Sequence, residues 1–130
     1  MKKLEASSLE GTALDWAVAK CEGLAFEWDE GAAWVYPPEF NGYVAALKGH
    51  KANSLFYSFS PSTNWSQGGP IIDRERLFLR YWTNSWRAET YFWIMYGPTP
   101  LIAAMRCYVA SKLGDDVEIP EELIELPLSS

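Results

Sequence analysis

Between Pro61 and Glu75 the chain gathers Asn64, Trp65, Gln67, Gly68 and Gly69 in one short stretch with no strand-like alternation. Amide side chains read donor and acceptor edges, an indole offers a stacking platform, and paired glycines let backbone amides face a ligand. Together these types suit a small, planar, nucleotide-like ligand held without turnover. A plainer reading has equal weight: the glycines permit a close helix approach or a kink, and Trp65 is a core or lid ring. Thr99, at the start of a later helix, and Arg106 within it extend the candidate ligand-binding set. Helix starts near Asn64 and Pro100 favour an anion, and Arg106 could orient a carboxylate such as Asp73 or Glu75.

Groups that would turn a ligand over are not arranged for it. His50 is the single histidine, between Lys48 and Lys51 in a polar segment, with no acid or nucleophile tied to it by spacing. Asp73 and Glu75 are two apart, which does not put them on one face of a helix. Cys21 and Cys107 are isolated thiols on predicted helices, which reads as two small buried hydrophobes in a reducing compartment. No spacing matches a metal cluster, a phosphate loop or a nucleophile elbow. The expectation is therefore a non-enzymatic protein with no cofactor and no metal.

Composition narrows the partners. The chain has 130 residues, 48% apolar, seven of them tryptophan, enough for one domain with a real core. A net charge of -6 argues against direct nucleic-acid binding, which needs clustered Lys and Arg. The opening Met-Lys-Lys-Leu-Glu-Ala leads into acids instead of a long apolar run, so no signal peptide is expected, and no stretch has transmembrane length.

The elements that would position these residues follow from caps and periodicity. Ser7 and Glu10 form a capping-box pattern ahead of a helix to about Glu22, with Gly23 as C-cap and Leu14, Ala17, Val18 and Cys21 as its apolar stripe. Trp16 falls off that stripe and is expected over a loop. Phe26 to Tyr36 reads as a hairpin around Asp29-Glu30-Gly31, ended by Pro37-Pro38. Glu39 to Asn53 reads as a loop. Leu55 to Phe59 alternates as a strand, and Ser62 or Thr63 would cap a kinked or two-piece helix from Asn64 to about Glu75, broken at Gly68-Gly69. Leu77 to Trp82 and Trp86 to Tyr96 read as two antiparallel strands across Thr83-Asn84-Ser85 with aromatics on both faces, more than a monomer usually exposes. Thr99 as N-cap, Pro100 at N1 and Gly114 as C-cap delimit the clearest helix, with Ile102, Met105, Val109 and Leu113 in one row and Leu101, Ala104 and Tyr108 in the next.

These elements specify an α+β fold: an antiparallel sheet of about four short strands packed by an N-terminal helix, a kinked middle helix and a long C-terminal helix. Residues 1–114 form one globular domain, and the acid-rich residues 115–130 read as an acidic C-terminal tail.

Three pieces, Leu14 to Gly23, Pro61 to Glu75 and Gly97 to Gly114, resemble the NinX-like proteins of lambdoid phages and prophages. The resemblance implies a phage or prophage accessory protein in the host cytoplasm, in a family of unknown function, and it transfers no catalytic residue. Two functions compete. One is a binding module for the planar ligand near Trp65. The other is a modulator or antagonist of a host protein, acting through the aromatic strand face or the acidic tail. Excess ring surface on the strands is equally compatible with a homo-oligomer.

Overall fold

A long helix, α3 (Pro100–Leu113), lies at the centre of the computed structural model, which describes residues 1–29, 32–36, 45–48 and 57–124. Its ends form as their residue types dictate. Thr99 Oγ1 accepts from the Ile102 amide at 3.1 Å, Pro100 fills the first turn, and Gly114 ends the helix at φ 91°. Leu101, Ala103, Ala104, Met105, Cys107, Tyr108, Val109 and Ala110 are buried, which is burial around most of the circumference and not along one stripe.

The other elements close around it. Strand β1 (Lys2–Glu5) leads through a 3-10 turn (Ala6–Ser8) into α1 (Gly11–Cys21). The expected capping box does not form. Ser7 lies in the 3-10 turn, Glu10 itself stands at the cap without a side-chain bond, and the Ser8 hydroxyl donates to the Glu5 carbonyl at 2.8 Å. Burial in α1 runs without interruption from Ala13 to Ala19, and Gly23 follows at φ 72°. Trp16 is part of the core, not a ring over a loop: it is 7% exposed and meets Phe26 edge to face.

Strands β2 (Phe26–Asp29) and β3 (Ala32–Val35) pair antiparallel, as the aromatic pattern predicts. The third strand of that sheet, β4 (Ala45–Lys48), falls inside the segment read as a loop. Its Ala-Ala-Leu-Lys sequence has weak strand propensity, so tertiary pairing decides the outcome. A two-residue strand β5 (Tyr57–Ser58) joins β4 in parallel. Pro37-Pro38 and His50 lie outside the described residues.

Helix α2 (Trp65–Glu75) is continuous, and Gly68-Gly69 does not divide it. Its cap is Asn64, not Ser62 or Thr63, and Pro70 sits inside it. It closes at Arg76, in the left-handed region at φ 55°.

The aromatic segment contains three strands where two were expected: β6 (Phe78–Trp82), β7 (Ser85–Glu89) and β8 (Ile94–Gly97), an antiparallel meander. Thr83 and Asn84 both have positive φ, a two-residue turn that matches the twist of β6 and β7. Finally β9 (Asp116–Ile119) pairs antiparallel with β1, and Val117, Ile119 and Leu123 are buried. The acidic tail expected from residue 115 is therefore a core strand as far as Ile119, with its acids on the outward parity. The α+β class holds, and among the described residues its strands form three small sheets, not one of about four strands.

Close approach explains Gly68 and not its neighbour Gly69. A Cβ on Gly68 would collide with the Pro61 carbonyl and reach Leu101 Cδ2 at 2.6 Å, while one on Gly69 would meet Trp65 Cε3 at an ordinary 3.9 Å. Gly68→Ala should therefore lose about 1–3 kcal/mol through overpacking. Gly69→Ala should gain about 0.5–1 kcal/mol of helix stability. Urea unfolding of the two variants checks the opposite signs.

Candidate binding face

The residues singled out from sequence are mostly committed to holding the fold. Asn64 Oδ1 accepts from the Ser66 amide at 2.9 Å and the Ser66 hydroxyl at 2.6 Å. Gln67 accepts from the Ser60 amide at 2.7 Å and donates to the Ser58 carbonyl at 2.8 Å, tying β5 to α2. Gly68 is buried against Pro61 and Leu101, so α2 meets the first turn of α3 there. Trp65, beside Gly69, is 54% exposed on the first turn of α2, neither core nor lid. Thr99 caps α3.

Arg106 orients neither Asp73 nor Glu75. Its Nε donates to the Leu9 carbonyl at 2.7 Å and its Nη1 to the Tyr96 carbonyl at 2.8 Å, so it fastens the entry of α1 to β8. Glu75 is met instead by Arg74. Arg74 grips Glu22 with both terminal nitrogens, at 3.1 and 2.6 Å, and Glu75 through Nε at 2.9 Å, while Lys112 reaches Glu75 at 3.3 Å. The Tyr108 hydroxyl donates to Glu22 and receives Arg74 Nη2 at 3.1 Å. One polar network thus joins all three helices. Burial pushes the Glu22 carboxyl up, but the bonds from Arg74 and Tyr108 outweigh it and hold it below the usual range.

Asp15 has the opposite environment. It is 6% exposed and accepts the Ser62 amide at 2.9 Å. Burial pushes its carboxyl up to about 7, with Ser62 offsetting part of the rise. Burial likewise lifts the Cys21 thiol to about 12 and Cys107 to about 11, so neither is a thiolate at neutral pH. Among the described residues no group of His, Cys, Asp and Glu could hold a metal.

The meander has a different character. Its inner parity carries Leu79 and Tyr81 on β6, Trp86 and Ala88 on β7, and Met95 and Gly97 on β8; all but Tyr81, which is 60% exposed, pack toward the core and α3, where a Cβ on Gly97 would come within 2.7 Å of the Ala103 amide. Its outer parity carries Phe78, Arg80 and Trp82 on β6, Arg87 and Glu89 on β7, and Ile94 and Tyr96 on β8. Phe78 is 59% exposed and Trp82 51%, with Ile94 and Tyr96 nearly as open. At the β7–β8 tip Tyr91 and Phe92 are 98% and 88% exposed, their ring centroids 6.0 Å apart. The Thr90 amide donates to the Trp93 carbonyl at 2.9 Å and fixes that tip. These exposed rings are the feature that core packing leaves unexplained.

Among the described residues, open cavities lie elsewhere. One, of about 450 Å³, is bounded by Ser7, Asn84, Ser85, Pro98, β8 and Arg106, at the edge of the meander. Another, of about 430 Å³, lies against Trp16, Lys20, Leu24 and Phe26. None of the Asn64 to Gly69 set lines either.

The family model for NinX of bacteriophage P22 matches residues 5–112. The chain belongs to the phage NinX family. It is accordingly a phage accessory protein. Among curated proteins no relative matches it. The NinX match runs from the end of β1 through nearly all of α3, so it includes the three-helix polar network and the whole meander. No helix among the described residues is long and apolar enough to cross a membrane.

The aromatic excess is legible in the sequence, but the exposure of Tyr91 and Phe92 is hidden by the reading of Trp86 to Tyr96 as a single strand. A usable signal was present: Tyr91-Phe92-Trp93 puts three aromatic residues in a row, and a strand cannot hide successive side chains on one face.

The two unlike carboxylates of this NinX chain predict opposite pH responses. Asp15 has a raised folded value, so its contribution is greatest below the unfolded value near 4 and declines as pH rises toward 7. Asp15→Asn keeps the acceptor for Ser62 and should exceed the wild type above pH 7 by up to about 4 kcal/mol, with the gap closing toward pH 4. Glu22 has a lowered value, so its contribution is present at neutral pH and lost as pH falls through the folded value. Tyr108→Phe should lose about 1–2 kcal/mol and raise the Glu22 pKa. Denaturant titrations across pH, with NMR of the Glu22 carboxyl, check both.

Proposed function

We propose that this NinX protein is a non-enzymatic binding module that acts in the host cytoplasm by docking a host protein on the outer face of the meander. The observation that supports the reading is the exposure of Phe78, Trp82, Tyr91, Phe92, Ile94 and Tyr96 on the outer face and tip of a sheet whose inner face packs Leu79, Trp86, Ala88 and Met95 against the core. Large rings are expensive to leave in water, and aromatic and arginine side chains dominate the centres of protein interfaces. The hairpin tip is well suited to anchor such a contact, since its two rings stand clear of the body on a hydrogen-bonded turn.

A small planar ligand beside Trp65 has less support. Trp65 is open to stacking, yet of the amides that would read the ligand's edges, Asn64 has its acceptor engaged within the protein and Gln67 both its acceptor and its donor.

Affinity capture from host lysate is the test. The intact protein should retain a defined host protein in proportion to its own amount, the Tyr91→Ser/Phe92→Ser variant should lose it, and Trp65→Ala should keep it. An empty capture, or equal retention by the tip variant, would refute the proposal; a thermal shift with nucleotides that Trp65→Ala abolishes would favour the small ligand.

A further inference from the structure

The centre of the same face contains an arrangement that folding alone does not favour. The register sets Arg80 directly opposite Arg87. Like charges directly across an antiparallel pair repel, and the chain has 17 acidic residues from which a neutralising partner for Arg80 could have come. Arg87 is met by Glu89, Nε to Oε1 at 2.6 Å. Among the described residues Arg80 forms no ion pair; its guanidinium lies 5.8 Å from the centroid of the Trp82 ring. Next to this pair, Arg87 stands opposite Tyr96 on β8, and Phe78 and Trp82 flank Arg80 along β6. A cation pair thus sits inside an aromatic frame on an otherwise acidic protein.

We infer that Arg80 and Arg87 receive a carboxylate from an acidic segment of the docked protein, while apolar residues of that segment lie on the surrounding rings. This rests on the meander being the docking face and names the chemistry of what docks there. A carboxylate placed between two guanidinium groups replaces their repulsion with charge-assisted, two-pronged hydrogen bonds. Covering the rings excludes water and strengthens those bonds. The cation–π contact of Arg80 with the Trp82 ring restricts its guanidinium before the partner arrives, which lowers the ordering cost of binding. Charge complementarity selects a peptide acid over a nucleic-acid backbone. Two arginines against Glu89 leave a small local positive charge, suited to one or two carboxylates and too small for a run of phosphates on a chain of net charge -6.

The probes are a short peptide alternating glutamate with leucine, the same peptide with glutamine for glutamate, and a short oligothymidylate. Each is titrated into isotope-labelled protein, and the Trp82 indole and the Arg80 and Arg87 guanidinium signals are followed by NMR. The glutamate peptide should bind about tenfold more tightly than its glutamine counterpart. Added salt should erase the difference. Arg80→Gln, on an exposed side chain, should leave the amide spectrum of the fold intact and remove the preference while keeping the weaker glutamine-peptide binding. Equal binding of the two peptides would overturn the inference and leave the docking face standing; binding of neither would count against both. Tighter binding of oligothymidylate would make the ligand a phosphate chain and overturn it. So would sedimentation showing a dimer that Arg80→Gln dissolves, since the occupant would then be a second copy.

Discussion

The structure depends on the enclosure of α3. Its central residues are small or apolar on nearly every side, with Ala103, Ala104 and Ala110 fully or almost fully buried, so neighbouring elements approach closely from several directions. Gly97 lets β8 lie against the start of the helix, and Gly68 lets α2 meet its first turn. Arg106 then fixes the chain ahead of α1 to β8 through two carbonyls, and Tyr108 links the helix to Glu22 and Arg74. The meander packs on α3 with its apolar residues Leu79, Ala88 and Met95. For a three-stranded sheet this consumes one face and leaves the other free, and the aromatic residues on that free face are consequently not part of the core's requirement.

The polar groups inside this arrangement divide into two kinds. Glu22, Arg74 and Tyr108 satisfy one another, so the network joins three helices with every charged member at least partly compensated. Asp15 is buried with the Ser62 amide as its hydrogen-bond donor, and burial outweighs that bond. Asp15 therefore positions the turn before α2 at the expense of stability at neutral pH. Both groups lie in segments that resemble the NinX family from sequence, and in this fold those segments are chiefly junctions between helices.

Much of the backbone was legible in the sequence because local chemistry and tertiary demand agree there. Thr99, Pro100 and Gly114 delimit α3 as capping rules require, and Gly23 ends α1. Where they disagree, reading failed for identifiable reasons. Gly68-Gly69-Pro70 signals a break, yet the helix passes through because Gly68 is needed for contact with Pro61 and Leu101. The acids after Gly114 signal a tail, yet Val117 and Ile119 alternate with Asp116 and Glu118 and pair with β1, a partner more than a hundred residues away that no local window can see. Amides and glycines serve capping and close packing with the same chemistry that they offer a ligand, and in this fold Asn64, Gln67 and Gly68 all make such structural contacts. The outer face was half legible: aromatic excess was plain, but which rings face outward depends on a register set by the Thr83-Asn84 turn.

The central claim is that the exposed rings of the meander serve recognition and not folding, and it is tested most directly by the stability of the isolated protein after their removal. Tyr91 and Phe92, almost wholly exposed, should be replaceable by serine with a change in unfolding free energy within about 0.5 kcal/mol. Met95, on the buried parity of the adjacent strand, should lose about 2–5 kcal/mol on truncation to alanine. If loss of the Tyr91 and Phe92 rings instead destabilises the protein as much as loss of Met95, the tip is a structural element and the account is contradicted.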